Sequence, residues 1–256
     1  MGIVNVTDDS FSDGGRFRDP SRAIEHGLKL REEGADLVDV GGESTRPGAA
    51  PVPAEEELRR VVPVIEALAR AGIAVSVDTM KPEVMRAAID AGCAVVNDVN
   101  AFRAPGAVEA VAGSGASLIA MHMQGTPATM QKEPHYDDVA AEVTGYLLAR
   151  AEALARAGVA RERIAIDPGF GFGKTLAHNK ALFRALPRMA GLGYPLVVGV
   201  SRKKLIGDLT RRGPGERAAG SVAAALLAAQ NGASMVRVHD VKDTVDALHT
   251  WMELSR

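Results

Sequence analysis

Residues 74–98 read AVSVDTMKPEVMRAAIDAGCAVVND, and this stretch holds one complete turn of a pattern that runs through the chain. A short apolar run, Ala74 to Val77, stops on Asp78, and a helix is expected to begin near Pro82, where proline suits the first turn. Gly92 is a natural helix C-cap, and a second apolar run, Ala94 to Val96, stops on Asn97 and Asp98. Working outward, apolar runs of this kind end at Asn5, Asp39-Val40-Gly41-Gly42-Glu43, Asp78, Asn97-Asp98, His122, Asp167, Ser201-Arg202-Lys203 and Arg237-Val238-His239. The segments between them are amphipathic and rich in Ala, Leu, Glu and Arg. Strand, loop and helix repeated eight times predicts an α/β fold, a (β/α)8 TIM barrel, with its active site at the C-terminal ends of the strands.

The other strands are expected at Gly2–Asn5, Leu37–Val40, Ser117–Met121, Ile164–Ile166, Leu196–Val200 and Met235–Val236. Helices are expected from Pro20, over Glu55–Arg70, over Asp137–Ala157 with Asp137 and Asp138 as N-cap and first turn, over Pro214–Asn231 and over Asp243–Leu254. Long polar loops fill Val6–Asp19 and Gly41–Gly48.

At 256 residues the chain matches the ~250 typical of this fold, so a single domain over 1–256 is expected. A net charge of −2 with no polybasic stretch argues against nucleic acid and anionic membrane surfaces as partners. One cysteine, Cys93, cannot form an internal disulfide and sits in an apolar context, so it reads as a core residue. No signal peptide or 18-residue apolar run is present, and a cytoplasmic location is expected.

Asp78, Asn97 and Asp167 end three strands that point into one barrel mouth, where an unpaired carboxylate is costly. They suit a donor-rich ligand such as an aminopyrimidinone ring, whose amino group and neighbouring ring N–H can both be accepted by one carboxylate. Capping or structural ion pairing explains any one of them alone better than it explains all three. Arg46, Ser201-Arg202-Lys203 and Arg237-Val238-His239 form a cationic set on the C-terminal loops. Alternation places Arg237 and His239 on one side of strand eight, and phosphate commonly binds at loops seven and eight of a barrel. An anionic group is expected there, with His239 donating a hydrogen bond or a proton.

Gly169-Phe170-Gly171-Phe172-Gly173-Lys174-Thr175 looks like a Walker loop, but Pro168 stands where its first glycine is required. Its glycines read instead as letting backbone lie close to a flat ligand held by Asp167. His122 has no second histidine or cysteine at a ligand spacing, and His26, His135, His178 and His249 read as surface residues. Lys203 reads as a site residue, whereas Lys204 is given no role.

These residues carry a family resemblance. Met1-Gly2-Ile3-Val4-Asn5-Val6-Thr7-Asp8-Asp9-Ser10-Phe11-Ser12-Asp13-Gly14-Gly15 and Gly41-Gly42-Glu43-Ser44-Thr45-Arg46-Pro47-Gly48 resemble the two signatures of the dihydropteroate synthases, a pterin-binding barrel family. Asp167-Pro168-Gly169-Phe170-Gly171-Phe172-Gly173-Lys174, Gly199-Val200-Ser201-Arg202-Lys203 and Arg237-Val238-His239-Asp240 resemble its later motifs, in order, so the likeness covers essentially the whole chain.

The resemblance implies a transferase of folate biosynthesis that condenses 6-hydroxymethyl-7,8-dihydropterin pyrophosphate with para-aminobenzoate, releasing pyrophosphate. By carry-over, Asp78, Asn97, Met121, Asp167, Phe172 and Lys203 would hold the pterin. Asn5, Thr45, Arg46, Arg237 and His239 would bind the pyrophosphate, with Asn5 also ligating Mg2+. Phe11, Ser12, Asp13, Pro47, Ser201, Arg202 and Lys203 would serve the para-aminobenzoate pocket and its closing loops. Asp78, Lys203, Arg237 and His239 would carry catalysis. A homodimer, through the helix from Pro214 or the one bearing Trp251, and sensitivity to sulfonamides are also implied. Asp8 stands where the family usually has proline, and relatives generally carry a short segment before strand one, so the chain is expected to lack that segment. A methyltetrahydrofolate–corrinoid methyltransferase-like domain would share Asp78, Asn97 and Asp167 but would not explain the cationic set. A pterin-binding paralogue without turnover is the remaining alternative.

Overall fold

The computed structural model describes residues 1–7 and 20–255. Phe11, Ser12 and Asp13, together with Asp8, lie outside the described residues. Eight parallel strands, β1 (Gly2–Asn5), β2 (Val38–Gly41), β3 (Val75–Asp78), β4 (Val95–Asp98), β5 (Ser117–Met121), β6 (Ile164–Asp167), β7 (Val197–Val198) and β8 (Met235–Val236), alternate with helices. The helices are α1 (Pro20–Glu32), α2 (Ala54–Arg70), α3 (Pro82–Asp90), α4 (Ala107–Val111), α5 (Val139–Arg156), α6 (Leu176–Arg184), α7 (Leu186–Ala190), α8 (Lys204–Thr210), α9 (Ala218–Gln230) and α10 (Val241–Leu254).

Strands β1 to β6 form one sheet in sequence order, and β7 pairs with β8. The ring is closed by two single bridges, Ile166 with Leu196 and Gly2 with Val238. The result is the expected TIM barrel.

Strand alternation sorts the side chains. Val4, Val38, Val40, Val75, Val77, Val96, Leu118, Ala120, Ile164, Ile166, Leu196, Val198, Val236 and Val238 belong to the main core shared with the helices. On the opposite strand faces, Met1, Leu37, Ile119 and Val197 form a separate apolar cluster with Val95, Ala165 and Met235. These inward residues come from the N-terminal parts of their strands, so they plug the bottom of the barrel. Further along the strands the inward positions turn polar, with Asp39, Ser76, Asn97 and Asp167 all buried. Core packing is thus spent at the bottom and chemistry is left to the mouth.

Several boundaries differ from expectation. β7 covers two residues instead of five, because only Val197 and Val198 pair with β8. β2 is shifted one residue forward, and β3, β4 and β6 take in their terminal polar residues. Asp138 alone caps α5, accepting from Ala140 and Ala141 N–H at 3.0 Å each, while Asp137 stays outside the helix. The expected helix over 214–231 is broken: Pro214–Glu216 forms a 3-10 turn, and Arg217 leaves helical geometry before α9. Gly72 and Gly92 do end their helices, with φ of 74° and 98°. Cys93 is buried, and burial pushes its thiol up to about 12.

Candidate active site

The strand register brings the acidic residues together. Asp78 pairs with Asn97 across β3 and β4, and Asp39 lies one strand away on β2. Arg237, just beyond β8, reaches into this group across β1, which lies between β8 and β2. Its Nε donates to Asp39 Oδ2 at 2.7 Å, and its Nη2 reaches Asp39 Oδ2 at 2.6 Å and Asp78 Oδ2 at 2.9 Å. Two carboxylates therefore share one guanidinium. Burial, opposed by Arg237 and reinforced by Asp39, raises Asp78 to about 7. Asp39 Oδ1 and Asp78 Oδ1 are buried with no partner among the described residues. A buried acceptor without a donor is costly, so these oxygens mark where ligand N–H groups can be received.

Asp167 ends β6, and its Oδ1 accepts Gly169 N–H at 2.7 Å. Burial raises its pKa against the pull of Lys203 and of the Gly169 amide. Lys203 donates to Phe170 O at 2.6 Å and stands 4.7 Å from the centre of the Phe172 ring. Burial, offset by Asp167 and aided by Arg237, lowers it to about 8. An apolar wall of Val99, Met121, Met123 and Met130, with Met80 and Phe172 against it, lies beside these groups. Polarisable thioethers and an aromatic face suit a flat ring.

The loop after β6 has few backbone partners and is held mostly by side chains. Lys174 Nζ donates to Gly169 O and Phe172 O, Lys203 to Phe170 O, Gln131 to Gly171 O at 2.5 Å and Tyr136 Oη to Gly173 O at 2.8 Å. Two of the glycines have a reason besides the one expected. Gly169 and Gly173 have φ of 67° and 64°, and an added Cβ would come within 1.9 Å of His122 O and 2.7 Å of Gln124 O respectively. Close approach to the β5 loop requires both.

The cationic set is divided. Arg237 is ion-paired with Asp39 and Asp78, and its charge still acts on His239. His239 joins Ser201, whose Oγ accepts His239 N–H at 3.1 Å and lies 3.0 Å from Nδ1. Burial and the charges of Arg237 and Arg202 lower His239 to about 4, so it is neutral near pH 7 and offers a hydrogen bond, not the expected proton. Arg202, with φ of 56°, turns its guanidinium to Asp240 at 3.0 Å. Arg46 and Pro47 lie exposed on the loop after β2, Thr45 is half-buried there, and Asn5 is half-buried at the end of β1 opposite Gly41. Among the described residues no three His, Cys, Asp or Glu side chains converge on a metal position.

Several supporting residues were not foreseen. Lys81 Nζ is gripped by both Glu43 and Glu57, tying the loops after β2 and β3 to α2, and Arg60 Nη1 donates to Gly42 O at 2.8 Å. Their partners lie on different elements, which no local spacing reveals. The methionines at 121, 123 and 130 did offer a visible apolar signal. His178, expected on the surface, is half-buried and caps α6 reciprocally with Thr175.

Residues 1–239 match the family model described as pterin binding enzyme. The chain is 51% identical over 249 residues to the dihydropteroate synthase of Escherichia coli strain K12, covering 97% of this chain and 88% of that protein. It superposes on the Xanthomonas albilineans dihydropteroate synthase with 4-aminobenzoic acid with a TM-score of 0.94 at 57% identity, covering 100% of this chain and 92% of that one. Another structure of the Xanthomonas albilineans enzyme, in complex with 7,8-dihydropteroate, gives 0.90 at 54% identity with the same coverage. Barrel, polar mouth and sequence agree, and the chain belongs to the pterin-binding enzyme family, among its dihydropteroate synthases.

Proposed function

We propose that this chain joins the methylene carbon of 6-hydroxymethyl-7,8-dihydropterin pyrophosphate to the amino nitrogen of para-aminobenzoate, forming 7,8-dihydropteroate and pyrophosphate. The observation that carries this reading is the set of buried acceptors, with Asp39 Oδ1 and Asp78 Oδ1 unpartnered, beside a methionine and phenylalanine wall and under a cationic rim. Asp167, Asn97 and Asp78 accept the pterin's amino and ring N–H groups. Lys203 faces its carbonyl and ring nitrogen, while Met121 and Phe172 lie against its faces. Such recognition leaves buried groups unpaired if the ring is wrong, which is a strong source of selectivity.

The carbon–oxygen bond breaks with its electron pair leaving on pyrophosphate, and the dihydropterin delocalises the cationic methylene. Asp78 stabilises that charge electrostatically, in a site fixed before the reaction by Arg237. The arylamine nitrogen attacks the carbon and loses a proton. Thr45, Arg46, Arg237 and His239 receive the leaving group, which needs hydrogen-bond donors more than a proton. Pro47, Ser201, Arg202 and Lys203 serve the arylamine side, the substrate to which the family resemblance also assigns Phe11, Ser12 and Asp13, outside the described residues.

Asn5 offers one hard neutral oxygen and the mouth holds no protein cage of carboxylates among the described residues, a donor set that fits Mg2+ arriving on the pyrophosphate. When bound it would neutralise charge on the leaving group, with Asn5 as its protein ligand. We further infer a homodimer through α9 and α10, where Leu227 and Leu254 are exposed, and a cytoplasmic location, which suits a chain whose single cysteine cannot form an internal disulfide. Light scattering of the purified chain tests the homodimer. Sulfonamides should compete with para-aminobenzoate, being arylamines of like shape.

Pyrophosphate release and dihydropteroate formation, measured with Mg2+ and with or without para-aminobenzoate, test the function. Product that depends on the arylamine is expected. Pterin binding without product would leave only the non-catalytic reading.

A further inference from the structure

We propose that Lys174 is a positioning residue for the pterin pocket: from beneath the loop after β6 its ammonium sets the places of Asp167, Phe172 and Lys203 without touching substrate. This inference rests on the pterin reading of the site.

Lys174 is 3% exposed, yet it is the lysine of a loop that otherwise resembles a phosphate-binding motif. Burial, opposed by Asp167 and aided by Lys203, lowers Lys174 to about 7, and the three N–H donors of its protonated form each have an acceptor here: Gly169 O at 2.9 Å, Phe172 O at 3.0 Å and His122 Nδ1 at 3.0 Å. His122 must then accept through Nδ1, and burial together with the charge of Lys174 lowers it to about 3, so it is neutral. The imidazole is itself fixed, with the edge of Tyr146 at 4.9 Å between ring centres. Lys174 therefore pins the loop to the end of β5.

The pterin-facing groups of this sector touch the two residues whose carbonyls Lys174 holds, or the one residue next to them. Gly169, held at its carbonyl, donates its N–H to Asp167. Phe172, also held at its carbonyl, puts its ring under Lys203. Phe170, between the two, receives the Lys203 ammonium at 2.6 Å. Gln131 and Tyr136 hold Gly171 and Gly173, and Asn179 accepts Gly171 N–H and donates to the carbonyls of Lys174 and Thr175. Without the ammonium, the Phe172 carbonyl and an imidazole nitrogen would lose their partner and Gly169 O would keep only Phe172 N–H at 3.1 Å, so the loop must move to satisfy them.

The test compares the full-length wild type with Lys174→Met and Lys174→Gln. Melting curves check folding, calorimetry with 6-hydroxymethylpterin gives pterin affinity, and steady-state assays give KM for each substrate. Lys174→Met is expected to melt cooperatively, to bind the pterin at least tenfold more weakly and to raise the para-aminobenzoate KM by clearly less, since on the arylamine side it reaches only Lys203. Lys174→Gln, which retains two donors, should recover part of the loss. Unchanged pterin affinity in Lys174→Met overturns the proposal, as does an equal rise in both KM values or a failure of both variants to fold, since each makes the lysine merely structural. Wild type that binds the pterin without turnover would sink the catalytic reading while leaving this comparison intact.

Discussion

Single side chains decide what the mouth of this barrel accepts. Asp167 is an acceptor on both oxygens, and Asp167→Asn would turn one of them into a donor facing the ligand's donors. Pterin affinity should fall by ten- to a thousandfold, on the order of 1.4 to 4 kcal/mol; calorimetry showing unchanged affinity would remove the pterin assignment. Two groups should shape the pH profile of kcat/KM, which reports the free enzyme. Lys203, lowered to about 8, is charged below that pH and loses its proton above it, giving a falling basic limb. Asp78, raised to about 7 within its cluster with Asp39 and Arg237, becomes neutral as pH falls and gives the acid limb. Residual activity of Lys203→Met should keep the acid limb and lose the basic one. A basic limb that survives in this variant would assign it to another group.

At the scale of elements, what was legible in the sequence was whatever repeats locally. The eight apolar runs, their polar ends and the glycine caps at Gly72 and Gly92 could be read because each depends on neighbours a few residues away. The Asp39–Arg237 contact could not, since its partners are separated by 198 residues and meet only when the ring closes. The Lys81 clamp is of the same kind, joining two loops to α2. The length of β7 is not legible because the apolar run continues to Val200, past the two residues that pair with β8. Lys81→Met would leave Glu57, whose side chain is fully buried, without its cation. A loss of about 3 to 5 kcal/mol is expected from the denaturant midpoint, with a weaker hold on pyrophosphate because the loop bearing Thr45 and Arg46 starts beside Glu43. Stability equal to wild type would show that the clamp is solvated in solution.

Across the whole molecule, bottom and mouth should separate in experiment. Ile119 lies in the apolar plug, 3% exposed, and Ile119→Ala should cost about 2 to 5 kcal/mol while leaving kcat/KM within twofold. A selective loss of activity would mean that the plug transmits strain to the site. The closure of the ring has its own consequence. β7 and β8 form a separate pair, joined to the other six strands by one bridge on each side, and this pair leads into Ser201, Lys203, Arg237 and His239. The barrel is thus a clasp: the acidic jaw is riveted along five continuous ladders, and the basic jaw is held by two stitches and by Arg237 on Asp39 and Asp78. Amide exchange should be faster at residues 197, 198 and 235–238 than in β2 to β5, and binding of pyrophosphate, which bridges the jaws, should slow it. A machine that must grip a charged leaving group and then let it go has its looseness where the grip is made.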